Sequence, residues 1–170
     1  AIAAARSGAH VVGVDYVSSL LERGRERAHA ERLPVEFVLG DAEALPFPEQ
    51  SFDAVLSIFG VMFAPDQARA AGELLRVVRP GGRVALASWT PEGFIGEMLR
   101  TVTKHAPPPA GVASPLLWGT EAHVQTLLGD AVSSLEDLIP YLTPTVGNVG
   151  DWIYKARQAA RVTYQSQTAA

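Results

Sequence analysis

Short apolar runs alternate with amphipathic stretches through the first half of the chain. HVVGVD at 10–15, VEFVL at 35–39, FDAVLSI at 52–58 and RVALASW at 83–89 are each short and nearly continuous in apolar residues, which predicts buried strands. The intervening segments carry helical spacing. Residues 1–7 are Ala-rich and helix-favouring, with Gly8 at a C-cap position. Ser19 and Glu22 have the spacing of a capping box, and Leu20, Leu21, Gly24 and Ala28 fall on one face of the helix that follows, closed by Pro34. Asp66 is placed to cap a helix over 67–78 carrying Ala68, Ala71, Leu74, Leu75 and Val78, and RPGG at 79–82 stops it. A weaker helix is predicted over 93–104.

Alternation of helices and buried strands implies an α/β fold with a parallel sheet and right-handed helical crossovers. After residue 104 the pattern loosens. HAPPPAG at 105–111 is a stiff loop, Thr120 is placed to cap a short helix to residue 128, and 131–136 reads as a strand. Pro140 and Pro144 interrupt the next stretch, and 151–164 reads as a helix with Trp152, Ile153, Ala156, Ala160 and Tyr164 on one side. The expected organisation is one domain, with an α/β core over 1–104 and a C-terminal, substrate-side extension over 105–170.

Composition narrows the function classes. A chain of 170 residues with 48% hydrophobic and 19% charged residues has enough apolar material for one folded core. A formal net charge of −4 argues against a large nucleic-acid or anionic-membrane surface. No cysteine is present, which excludes a disulfide framework, a thiolate metal site and a Cys nucleophile, and fits a cytoplasmic location. No apolar run reaches the roughly 20 residues of a membrane-spanning helix. The four histidines, His10, His29, His105 and His123, have no metal-ligand spacing, and no metal is expected.

In open parallel sheets ligands sit outside the C-terminal strand ends, and three such ends are chemically marked. Asp15, at the end of HVVGVD, can accept hydrogen bonds from both hydroxyls of a ribose; alternatively it is a solvated turn residue capping the next helix. Asp41 and Ala42 follow VEFVLG. A carboxylate there can accept from an adenine amino group while the next backbone N–H donates to a ring nitrogen; the alternative is an ordinary turn Asp. SIFG at 57–60 is the third end, equally compatible with a buried strand terminus. Asp15 and Asp41 end successive strands, so a ribose and its base could be held side by side, with LPFP at 45–48 folding the chain back over the base.

GDAEALPFPEQSFDAVLS at 40–57, followed by LLRVVRPGGRVALASW at 74–89, resembles the class I S-adenosylmethionine-dependent methyltransferases, in particular the branch containing ubiquinone/menaquinone-biosynthesis and other small-molecule methyltransferases. The resemblance covers residues 1–89 and, more loosely, extends to 128. It implies a Rossmann-like, mostly parallel sheet flanked by helices. It also implies S-adenosyl-L-methionine as cofactor and methyl transfer to a small-molecule acceptor. By the same resemblance Asp15 holds the ribose, Asp41 and Ala42 contact adenine, and Ile58 lies against the ligand where relatives often carry a polar residue. Asp53 and the turn of Pro80, Gly81 and Gly82 would be structural.

The family's first strand and its glycine-rich D-x-G-x-G loop would precede residue 1. The expectation is therefore a fragment that leaves the sheet incomplete and is inactive by itself. Two other readings stay open. One is a non-catalytic, adenosyl-nucleoside-binding remnant. The other is an NAD-binding oxidoreductase domain, for which no Y-x-x-x-K pair is present. There is also no phosphate-binding P-loop and no G-x-S-x-G elbow. Methyl transfer from an activated sulfonium needs chiefly orientation, so no catalytic base is assigned; the Pro-rich loop, Trp118, Trp152 and Tyr154 are substrate-side candidates by location, and His105 or His123 is the candidate base where a carbon or oxygen acceptor requires one.

Overall fold

The computed structural model describes residues 1–133. These divide into two units, Ala1–Pro46 and the part beginning at Phe47.

The first unit is a helix followed by a β-α-β crossover. Helix α1 (Ile2–Arg6) precedes strand β1 (Val11–Asp15), helix α2 (Ser18–Ala30) and strand β2 (Val35–Leu39). The two strands pair in parallel from Val11↔Val35 to Asp15↔Leu39. Helix α2 buries Leu21 and Ala28 against them. Between these two residues lies Gly24, whose position explains a poor helix former in mid-helix. A Cβ there would stand 2.6 Å from Cε1 of Phe37, and one on Gly13 would stand 3.0 Å from Cδ1 of the same ring. The Phe37 side chain is seated between two glycines, one on the neighbouring strand and one on the covering helix.

Both ends of α2 differ from the sequence expectation. The capping box does not form: Ser19 lies inside the helix, and Val17 at the N-cap makes no side-chain cap. The entry is organised earlier, by Asp15, whose Oδ1 accepts from the Val17 amide at 2.9 Å. Leu20, expected on the buried face, is exposed. At the other end Arg32, not Pro34, turns the chain. It adopts φ 55°, its amide donates to His29 O at 3.0 Å, and the Leu33 amide donates to Ala28 O at 2.9 Å. That reciprocal pair satisfies the last helical carbonyls in the manner usually served by glycine.

The second unit is built on strands β3 (Phe52–Ile58) and β4 (Val78–Ala87), which pair in parallel around helix α3 (Gln67–Val77). Asp66 caps α3 as expected, its Oδ1 accepting from the Arg69 amide at 2.9 Å. The buried face of α3 comprises Gln67, Ala70, Ala71, Leu74 and Val77, so Ala68 and Leu75 are not the core positions that the Ala-rich pattern suggested. RPGG does end the helix but lies within β4. The pairing skips from Phe52↔Val78 to Ala54↔Arg83, and the Asp53 carboxylate bridges the irregularity with a 2.9 Å ion pair to Arg79. The structural role expected for Asp53 and the glycine turn matches this geometry. Arg76 donates to Phe47 O at 2.7 Å and its own carbonyl accepts from the Gln50 amide, tying the turn before β3 to the end of α3.

Beyond β4 come helix α4 (Phe94–His105), a 3-10 turn at Pro115–Gly119 and helix α5 (Glu121–Leu128). Met62, Val77, Val84 and Leu128 are the most completely enclosed large side chains. Thr120 precedes α5, but its hydroxyl donates back to Leu117 O instead of capping the helix. Residues 129–131 form a 3-10 turn where a strand was expected to start; residues 134–136 of that segment and the predicted helix at 151–164, with Trp152 and Tyr154, lie outside the described residues.

Candidate functional site

The first unit brings Asp15, Asp41 and Ala42 together. Asp15 is the last residue of β1, and its carbonyl accepts from the Gly40 amide at 3.1 Å, which carries the pairing one residue beyond β2. Asp41 follows at once. Strand spacing and rise place the Cα atoms of Asp15 and Asp41 roughly 8 Å apart at the same end of the two strands.

Each carboxylate is half engaged. Oδ1 of Asp15 accepts from the Val17 amide, and Oδ1 of Asp41 accepts from the Glu43 amide, both at 2.9 Å. These short turns fix the side-chain rotamers. The second oxygen of each has no partner among the described residues. The turn-residue alternative is thus realised with one oxygen of each acid, and the other remains able to accept from a ligand. The amide of Ala42 also makes no hydrogen bond among the described residues.

The return after Asp41 is held closely. A Cβ on Gly40 would stand 3.0 Å from both Pro46 Cδ and Val14 Cγ1, so Pro46 is packed back onto the strand end. A turn at Asp41, with the Ala44 amide donating to the Asp41 carbonyl at 3.1 Å, begins that reversal. One residue was missed from sequence: Tyr16, next to Asp15, is 77% exposed. The available signal was an aromatic residue directly after the acid that ends an apolar run.

Ile58 belongs to the second unit. It ends β3, pairs with Ala87 and is 57% exposed. Phe59 follows with φ 52°, a left-handed conformation unusual for an aromatic residue. Its amide donates to Ala87 O at 2.9 Å, and its ring stacks on Trp89 with centroids 4.1 Å apart. Ser57, the one buried residue of β3, accepts the Val61 amide on its hydroxyl at 3.0 Å and so closes the turn that follows.

Of the substrate-side and base candidates, His123 lies on α5 with Nε2 2.7 Å from Oε1 of Gln67, and Trp118 is buried beside it, the ring centroids 6.3 Å apart. His105 is exposed at the end of α4. Among the described residues no three potential metal-ligating side chains converge, and no helix is long and apolar enough to cross a membrane.

Residues 1–86 match the family model for the methyltransferase domain. An uncharacterized protein of Mycobacterium bovis is 46% identical over 134 residues, covering 78% of this chain and 49% of that protein. A demethylmenaquinone methyltransferase of Thermus thermophilus is 43% identical over 95 residues, covering 55% of this chain and 43% of its own length. The chain spans about half the length of these curated relatives. In fold it is similar to a solved S-adenosylmethionine-dependent methyltransferase from Thermotoga maritima, with a TM-score of 0.57 at 22% identity over 79% of this chain and 58% of that one. Since the family model spans 86 of the 170 residues, the chain belongs to the methyltransferase-domain family, the class I methyltransferases whose cofactor is S-adenosyl-L-methionine.

Proposed function

We propose that this chain carries the adenosyl-binding portion of an enzyme that transfers the methyl group of S-adenosylmethionine to a small-molecule acceptor. The observation that carries the reading is the pair of carboxylates at neighbouring parallel strand ends, each pinned by one oxygen and open at the other. The donor set fits an adenosyl group. Asp15 accepts from the ribose hydroxyls. Asp41 accepts from the adenine amino group, and the amide of Ala42 donates to an adjacent ring nitrogen. The small side chain of Ala42 leaves room for the flat base, and the exposed ring of Tyr16 offers it a stacking face. For Ile58, in the second unit and without a polar side chain, the family resemblance alone suggests a part, through packing or its backbone.

The cofactor supplies an already activated methyl group. The chain's task is therefore orientation and exclusion of water, which is the larger part of such catalysis. Two relatives named demethylmenaquinone methyltransferase support a small-molecule acceptor in this reading. Neither a metal nor a nucleic acid enters this reading, and a cytoplasmic setting is part of it.

The test is calorimetric titration of S-adenosylhomocysteine into the chain and its Asp15→Ala and Asp41→Ala variants, with NADH as a control. Each substitution removes an acceptor facing a ligand donor, at a cost of about 1–3 kcal/mol, or roughly 5- to 150-fold in affinity. Equal affinity in all three proteins would remove these residues from the site. Binding of NADH in place of S-adenosylhomocysteine would favour the oxidoreductase reading.

A further inference from the structure

We propose that the cleft beside the first turn of α3 is the acceptor pocket. It would take a mainly apolar molecule bearing one hydroxyl or ring N–H, which donates to Nδ1 of His123. This inference rests on the methyl-transfer reading and names the substrate class for it.

The cleft has a volume of about 540 Å³, within the range of small-molecule sites. Its walls are largely apolar, with Pro65, Ala68, Val112 and Leu127 among them, and Asp66, Gln67 and His123 supply the polar side chains. The chain enters this region directly from the C-terminal end of β3, through the short 3-10 turn at Val61–Phe63 into α3. That is the end of a parallel sheet outside which ligands bind.

The proton positions follow from the hydrogen bonds. Gln67 is only 5% exposed, so both ends of its amide need partners. One end lies 3.0 Å from the carbonyl oxygen of Ser114. A carbonyl oxygen only accepts, so the group facing it is the amide NH2. The other end, Oε1, is then an acceptor, and it meets Nε2 of His123 at 2.7 Å. Nε2 must therefore carry the hydrogen, which leaves Nδ1 of the neutral imidazole as an acceptor. Nδ1 has no partner among the described residues. The Asp66 carboxylate accepts from the Arg69 amide in capping α3. Gln67 thus acts as a positioning residue: buried and held from two sides, it selects the tautomer of the histidine on the cleft wall. An acceptor nitrogen fixed beside apolar surface selects a ligand with one donor on an apolar body.

The experiment is fluorescence titration of the 170-residue chain with two probes, 1-naphthol and its methyl ether, which differ in one donor hydrogen. The expected result is at least tenfold tighter binding of the naphthol, loss of that preference in His123→Phe, and loss of both probes in Ala68→Trp. The last substitution sits at an exposed position of α3 and fills the cleft without touching the core. Equal binding of the two probes, no binding of the naphthol, or undiminished binding by Ala68→Trp would each overturn the proposal. S-adenosylhomocysteine is titrated alongside. If it fails to bind while the naphthol preference persists, the reading that this chain carries the adenosyl-binding portion falls and the cleft stands as a ligand site. If it binds and no preference is seen, only the cleft assignment falls.

Discussion

The carbonyl of Asp15 accepts the amide of Gly40 at 3.1 Å, so the two strand ends that carry the proposed adenosyl contacts are held by the backbone itself. The side chains of Asp15 and Asp41 then need only their own short turns to be aimed. A site built this way depends on the close packing around Gly40 as much as on the acids.

Substitution of Gly40 by valine tests that dependence. Its branched side chain would collide with Pro46 and Val14, each already 3.0 Å from the Cβ position. The return after Asp41 must then shift while both acids remain. We expect at least tenfold weaker binding of S-adenosylhomocysteine, about 1.4 kcal/mol, in calorimetric titration. A Gly40→Val protein that binds normally would show that the return does not position Asp41.

Gly24→Ala separates helix propensity from packing. Propensity alone favours alanine in mid-helix by about 1 kcal/mol. The Phe37 ring, 2.6 Å from the new Cβ, opposes it, and overpacking of this kind costs about 1–3 kcal/mol. We expect a lower urea midpoint for Gly24→Ala and partial recovery when Phe37→Leu is added. A higher midpoint in the single variant would mean that the ring yields freely.

The fork between Arg6 and Glu31 gives the first unit an acid sensitivity. Arg6 donates from two nitrogens to the two carboxylate oxygens at 2.6 Å, tying α1 to the end of α2. These hydrogen bonds hold the Glu31 carboxyl below its ordinary value of 4.5. A carboxylate whose pKa is lower in the folded state contributes stability that is complete above the unfolded value and is lost as the pH falls through the folded one. Both side chains are solvent-accessible, so the effect is small and salt-sensitive. In thermal melts at low salt, Glu31→Gln should lie below the parent at neutral pH, and the gap should close as the pH falls below 4.5. A gap independent of pH would assign the effect to packing.

Strands β2 and β3 end at the residues where the apolar runs end, and Asp66 caps α3 as its position suggested. These features are local: an apolar run cut by turn residues, or an acid one residue before a helix, specifies its structure within a few positions. The acids at the strand ends were legible for the same reason. The start of α2 was not, because Ser19 has the right spacing for a cap while the Asp15 turn begins the helix before it.

The order of helices and strands, their parallel sense and the acids that close β1 and follow β2 are all legible along the chain. Each rests on periodicity or on chemistry between near neighbours. Which helix faces are buried, and which polar side chains go with them, depends on contacts between residues distant in the chain. Gln67 is buried because Ser114 and His123, 47 and 56 residues away, satisfy its amide. Gly24 is required because Phe37 comes from the next strand. Neither partnership leaves a local trace, since the free energy of burying a polar group or admitting a ring depends on what folding brings against it.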